Sequence, residues 1–292
     1  MGYLTNMKSN IKIAITGANG FVAKNLRKRF RNLNVQTICI ARKNFKSNFN
    51  ETKIISPKYD SKDIFSLLKN CTTMIHLAGS GVQTVDSDYR TSNVELTQKM
   101  THLCHKARIK RFVYNSGLGV SKHSTSGYFI SKYQAEQVVQ KSGLDYVIFR
   151  PSYIMGKGDA LTRSIKMQKK QGRIIVPGSG KYRIQPIYIK DVCNILSDAA
   201  ILKRYSKKIL NLAGPDIVTF QDFVKRIGGK KYLVKANLEA EYRLATRGTG
   251  RFSLDDLCIM IGDYTGNIKP LERLYDLQLT RFDAMLDACG LL

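Results

Sequence analysis

The chain lacks any apolar segment approaching 18 residues and any hydrophobic core of the secretory type near its first residue. Neither a membrane span nor a signal sequence is therefore expected. Its six cysteines, Cys39, Cys71, Cys104, Cys193, Cys258 and Cys289, include no C-x-x-C pair. That spacing gives no ground for a zinc site or a disulfide framework and suits free thiols in a reducing cytoplasm. Histidine is scarce: His102 and His105 share a helical face, but with no further ligand nearby they read as surface or packing residues, and no metal is expected. Internal repeats and low-complexity linkers are also missing. Acidic residues are few, 22 Asp and Glu against 48 Lys and Arg, for a net charge of +26. Such a field attracts polyanions. Yet the cations are spread over runs at 24–31, 166–173 and 225–231, with no aromatic interleaving and no recognition motif, so no specific nucleic-acid binding is expected.

What is present is concentrated at residues 11–26, which read I-K-I-A-I-T-G-A-N-G-F-V-A-K-N-L. Ile11, Ile13 and Ile15 alternate with other residues over a run too short for a helix, which predicts a strand. Val22, Leu26 and Phe30 then recur at helical spacing, with basic residues on the other face. Gly17 and Gly20 allow a tight turn and close approach of the backbone to a pyrophosphate, and the amides of the new helix favour the anion. The spacing Gly17-x-x-Gly20-x-x-Ala23 differs from the commoner G-x-G-x-x-G.

Strands near 11, 35, 53, 72, 111 and 145 alternate with helices near 22, 62, 88 and 128. This rhythm predicts an α/β protein with a doubly wound parallel sheet, strand order 3-2-1-4-5-6, whose carboxyl ends gather the ligand-binding residues. Beyond residue 150 the regularity loosens into a helix at 158–171, a strand at 173–176, a helix at 191–201 and a strand at 209–212. The expected division is a dinucleotide-binding domain over 1–150 and a smaller substrate lobe over 151–292, interleaved with the main sheet around 185–215.

Further motifs follow in order. His76-Leu77-Ala78-Gly79 closes an apolar strand, and Asn93-Val94 sits early in the next helix. Arg111 to Ser116 reads R-F-V-Y-N-S, Tyr128 and Lys132 form Y-x-x-x-K, and Phe149-Arg150-Pro151-Ser152 and Gln185-Pro186-x-x-x-x-Asp191-Val192 come after. Tyr153 and Lys157 repeat the Y-x-x-x-K spacing, but Gly156 interrupts them, and they read as a loop coincidence. With the T-G-x-x-G-x-x-A turn, the set resembles the extended and atypical short-chain dehydrogenases/reductases of the NAD-dependent epimerase/dehydratase family, over roughly residues 10 to 227. The last sixty or so residues match no motif.

The resemblance implies a Rossmann-type, three-layer αβα fold. It implies catalysis by Tyr128 with Lys132 and Ser116, and a cofactor held by Gly17, Asn19, Gly20, Phe21, Val22, Arg42, Lys43, Leu77, Ala78, Gly79, Asn93, Lys132 and Pro151. Ser152 and Arg183 are the expected substrate contacts. One position departs from the pattern: Gly117 stands where extended relatives carry a second Ser or Thr, and Ser121, Thr125 and Ser126 are alternatives to Ser116 for its hydroxyl.

The Tyr128 pairing has a physical rationale, because residues four apart share a helical face and an ammonium beside a phenol favours its anion. Where NAD-preferring enzymes carry an acid after the second strand, this chain has Arg42-Lys43. That favours NADP over the other candidate, NAD, since guanidinium binds phosphate in a fork. Near 57–60, where relatives often hold adenine with an acid, the register stays open. The expected activity is NAD(P)-dependent hydride exchange on a nucleotide-sugar or related phosphorylated small molecule, in the cytoplasm, with a homodimer as the oligomeric option. The alternative is a cofactor-holding structural subunit resembling the complex I accessory members of the same branch.

Overall fold

In the computed structural model, residues 11–60, 63–81, 83, 88–202, 205–228, 230–249, 252–275 and 278–292 are described. The apolar runs form the strands that their composition predicts: β1 (Lys12–Thr16), β2 (Gln36–Ala41), β3 (Glu51–Ile55), β4 (Thr73–His76), β5 (Arg111–Asn115) and β6 (Asp145–Pro151). Between them lie α1 (Phe21–Asn32), α2 (Asp63–Leu68), α3 (Leu96–Lys106) and α4 (Gly127–Lys141). These six strands stand in the order β6-β5-β4-β1-β2-β3, all parallel among themselves, with Ile15 opposite Cys39 on one side and Ile75 on the other.

Ile13, Ala14, Ile15, Ile38, Ile40, Met74 and Ile75 are wholly buried, as expected of a parallel sheet covered on both faces. From α1 the sheet takes Ala23, Leu26 and Phe30; from α3 it takes Met100 and Cys104, and from α4 Ala135 and Val139.

The helix expected near 88 starts differently. Its first turn, Arg90–Glu95, is π-helical, so Asn93 and Val94 lie in that wider turn, both buried, and not in α3. One such turn inside a helix re-aims a side chain, often at a functional site.

The rest of the chain comprises β7 (Ile154–Met155), α5 (Ala160–Lys170), β8 (Ile174–Pro177), β9 (Arg183–Ile184), β10 (Ile187–Tyr188), α6 (Ile189–Ile201), β11 (Lys208–Leu212), β12 (Val218–Thr219), α7 (Phe220–Gly228), β13 (Leu233–Ala236), α8 (Leu238–Thr246), α9 (Leu254–Ile261), α10 (Lys269–Tyr275) and α11 (Phe282–Ala288). β11 joins the main sheet beside β6 as a seventh strand. The chain divides into two compact units. Met1–His123, Tyr128–Arg150 and Val192–Leu210 form the first, and Ser124–Gly127, Pro151–Asp191 and Asn211–Leu292 the second.

Among its described residues the second unit has three two-stranded ladders of its own, β7 with β10, β8 with β13 and β9 with β12. Its helices rely on local devices. The Asp159 carboxylate accepts the Thr162 amide to cap α5, and Ser253 and Asp256 form a reciprocal capping box on α9. Phe220, Phe223 and Phe282 pack edge to face as its aromatic core.

All six cysteines are unpaired, five of them buried and Cys258 half-buried. Among the described residues no helix is long and apolar enough to cross a membrane, and no cluster of His, Cys, Asp and Glu could hold a metal ion.

Candidate functional site

At the carboxyl ends of β1, β2 and β4 lies a cavity of about 600 Å³, lined in part by Gly17, Asn19, Gly20, Arg42, Lys43 and Leu77–Gly79. Each residue of the turn has a physical reason to be there. Gly17 has φ +69°, and a Cβ on it would stand 2.8 Å from the Ala78 nitrogen, so no other residue fits without displacing backbone. The Gly20 amide donates to the Gly17 carbonyl at 2.8 Å and closes the turn. Asn19 Nδ2 donates to the Lys43 carbonyl at 2.7 Å, tying the turn to the end of β2. Helix α1 then begins at Phe21 and Val22 with no side-chain cap and no acid in its first turn. Its leading amides are left to a ligand, at the positive end of the helix dipole.

The end of the cavity beside β2 is basic. Arg42 and Lys43 are exposed, enter no ion pair among the described residues, and share the cavity lining with Lys58 but with no carboxylate. The sequence reasoning missed Tyr59, which also lines the cavity: it is 4% exposed, has φ +54°, and the Gly17 amide is directed at its phenol. The segment 57–60, whose register the sequence left open, thus contributes an aromatic wall, while Asp60 is exposed with its amide on Ser56. A left-handed tyrosine has no signature in the sequence.

Beneath Leu77–Gly79 the support is polar and closed. Thr16 Oγ1 and Thr97 Oγ1 bracket the His76 ring at 2.7 and 3.2 Å, and burial, helped by the Lys132 charge, pulls that imidazole down to about 3. His76 is therefore neutral at working pH. Asn93 holds both backbone groups of Ser80 at 3.0 Å and donates to Ser131 Oγ at 2.9 Å, so its expected part in the site is to brace the strand end.

Tyr128 opens α4, half-buried, and Lys132 lies one turn on. The ammonium of Lys132 does not reach for the phenol. It donates to the Asn115 carbonyl at 2.8 Å and sits 4.7 Å over the Tyr114 ring. Burial lowers it to about 8, against the opposing pull of the Glu136 carboxylate, itself buried and forked to Arg150. Burial alone pushes the Tyr128 phenol up to about 12.

Two buried polar atoms at the end of β5, Asn115 Oδ1 and Ser116 Oγ, have no hydrogen-bond partner among the described residues. Beside them, a Cβ on Gly117 would stand 3.6 Å from the Tyr128 hydroxyl, an ordinary contact, so there is room for the side chain that Gly117 lacks. Of the alternative hydroxyls, Ser121 accepts the His123 amide and Ser126 donates to Asp255 at 2.8 Å.

In the second unit, Arg183 is exposed and forked onto Asp263 at 2.9 Å, the Ser152 amide donates to Leu212, and Ser152 Oγ is buried without a partner. Pro151 ends β6. His102 and His105 are exposed, as expected of surface residues.

A family model for the NAD dependent epimerase/dehydratase family matches residues 13–213. The chain belongs to that family. Among curated proteins it is 25% identical over 231 residues to the mitochondrial NADH dehydrogenase (ubiquinone) 1 alpha subcomplex subunit 9 of Arabidopsis thaliana, covering 74% of this chain and 57% of that protein. It is 23% identical over 175 residues to the uncharacterized sugar epimerase YhfK of Bacillus subtilis, covering 56% and 82%. The chain thus spans about half the length of the complex I subunits it matches, 57% and 48% for the plant and rat proteins. A solved structure of MoeE5 in complex with UDP-glucuronic acid and NAD shares the fold of this family member, with a TM-score of 0.75 at 19% identity and coverage of 94% and 95%. The epimerase/dehydratase family assignment and the Rossmann-like sheet are thereby established.

Proposed function

We propose that this family member binds NADP(H) in the cavity at the glycine turn and uses Tyr128 to exchange a proton with a hydroxyl or carbonyl of a nucleotide-linked or otherwise phosphorylated substrate. The observation that carries this reading is Gly79: it lines the cavity, and a Cβ on it would stand 3.9 Å from Lys132 Nζ. Dinucleotide cradle and Y-x-x-x-K pair therefore meet at one strand end. When bound, the nicotinamide supplies hydride exchange. The chain's own part is to hold and move the proton. A phenol near 12 keeps its proton at rest, so Tyr128 is set to donate to a carbonyl oxygen. Ser116 Oγ, buried and unpartnered, is the donor proposed to polarise that carbonyl. Phe21 and Val22 present amides to the pyrophosphate, and Arg42 and Lys43 take the ribose 2′-phosphate.

One observation favours a second reading, a subunit that holds the dinucleotide without turnover: Gly117 offers no hydroxyl beside Tyr128. The relatives include proteins named as subunits of a mitochondrial NADH dehydrogenase (ubiquinone), which agrees with a role inside an assembly. Titration with NADPH and NADH, followed by assay of a panel of nucleotide sugars and simple carbonyls, separates the two. The first reading expects NADPH to bind tighter and Tyr128→Phe to cut turnover roughly 100- to 10,000-fold with binding retained. NADPH binding with no turnover on any panel member, and Tyr128→Phe without effect, selects the second.

The six free thiols agree with the cytoplasm as the proposed location.

A further inference from the structure

We propose that Arg27 is a positioning residue for dinucleotide choice: its guanidinium locks the loop after β2 to the glycine turn and so fixes where Arg42 and Lys43 stand toward a 2′-phosphate. The inference rests on the NADP reading above and extends it to a residue that touches no ligand.

Arg27 belongs to the basic run of α1, yet it stands four residues after Ala23 and three before Phe30, on the inward face of the helix, and is 5% exposed. Its fork meets Glu51 of β3 through Nε at 2.8 Å and Nη2 at 2.6 Å. Nη1 donates to the Ala18 carbonyl at 3.1 Å, inside the glycine turn, and Nη2 to the Lys46 carbonyl at 2.7 Å. The guanidinium carbon lies 4.3 Å from the centre of the Phe45 ring. Glu51 in turn accepts the Asn48 amide and side-chain amide, both at 2.7 Å. One planar cation thus joins three chain segments: the turn, the strand β3, and the loop that leaves Arg42 and Lys43.

That loop has few other anchors. Asn19 holds Lys43 from the turn side, and Lys53 reaches Asn44 and Phe45 from outside. The exposed pair Arg42-Lys43 is therefore aimed by what lies beneath it. A fork of fixed geometry suits this task, and a lysine, with a single point charge, cannot reproduce it.

The test compares wild type, Arg27→Lys and Glu51→Gln by calorimetric titration with NADPH and with NADH, alongside thermal unfolding of each unliganded chain. Arg27→Lys keeps the charge and loses the fork; Glu51→Gln keeps the shape and decides the matter where Arg27→Lys does not fold. The expected result is a fall of about tenfold in the NADPH-to-NADH affinity ratio, equal to about 1.4 kcal/mol, with NADH affinity changed by less than about twofold. A purely structural role would weaken both dinucleotides together, or lower only the melting temperature, and either outcome overturns the proposal. Wild-type preference for NADPH that survives in both variants overturns it alone. A wild-type chain with no preference for NADPH overturns it together with the reading beneath it.

Discussion

The two ends of the candidate site are built in opposite ways. At the glycine-turn end the scaffold beneath the cavity is tied together within the protein: Gly20 on Gly17, Asn19 on Lys43, Arg27 on Ala18, Lys46 and Glu51, and His76 between two threonines. At the Tyr128 end Asn115 Oδ1 and Ser116 Oγ are buried without partners, and the phenol keeps its proton. Hydrogen bonds that join the turn, β3 and the intervening loop reduce the ordering that binding there has to supply. At the second end, a buried polar group costs about 1–3 kcal/mol when left without a hydrogen bond.

The contrast can be broken most forcefully at Gly17. Replacing it by alanine places a Cβ 2.8 Å from the Ala78 backbone in a left-handed conformation. The expected loss is about 3 kcal/mol of stability and roughly 100-fold in dinucleotide affinity; denaturant melts and titration read the two, and an unchanged affinity would show that the turn is not the cradle. Next is pH. An unfolded histidine titrates near 6.5, whereas buried His76 is held near 3, so between these values the unfolded chain binds the proton first. Its contribution is complete above pH 6.5 and is lost as pH falls toward 3, at up to about 1.4 kcal/mol per pH unit. His76→Gln should flatten that part of the stability profile measured from pH 7 to 4.5, and an identical slope would contradict it.

A smaller effect separates the two ends directly. Ser116→Ala removes a hydroxyl that bonds to nothing, so stability should hold within about 1 kcal/mol or rise slightly, while turnover falls about tenfold. A loss of stability with full turnover would make Ser116 structural. The smallest effect belongs far from the site: the Glu239–Arg243 pair on α8 is more than 70% exposed at both ends. Glu239→Gln should cost no more than about 0.5 kcal/mol, and less at high salt.

Much of this architecture was legible because its causes are local. Ile13, Ile15, Ile38 and Ile40 announce strands by run and spacing, and Gly17 announces its turn because no side chain fits there. The strand order came with the family resemblance and the doubly wound rhythm. What escaped depends on partners distant in the chain. Arg27 meets Glu51, far along the chain on β3. The Asn115 carbonyl that accepts from the Lys132 ammonium is another such partner, about which helical spacing carries no information. Tyr59 takes a backbone conformation that its residue type disfavours. The late helices carried readable signs, the Asn237 cap of α8 and the Ser253–Asp256 capping box on α9, which are legible from residue type and spacing.

The cysteines have a consequence for how the folding of this chain can be followed. Burial pushes the thiols of Cys39 and Cys193 up to about 12 and that of Cys71 up to about 11, so the reactive thiolate is scarce in the folded state. All three belong to the first unit. An alkylating reagent in solution therefore records each opening of that unit as a covalent mark, and the native sequence already carries its own chemical counter of unfolding events.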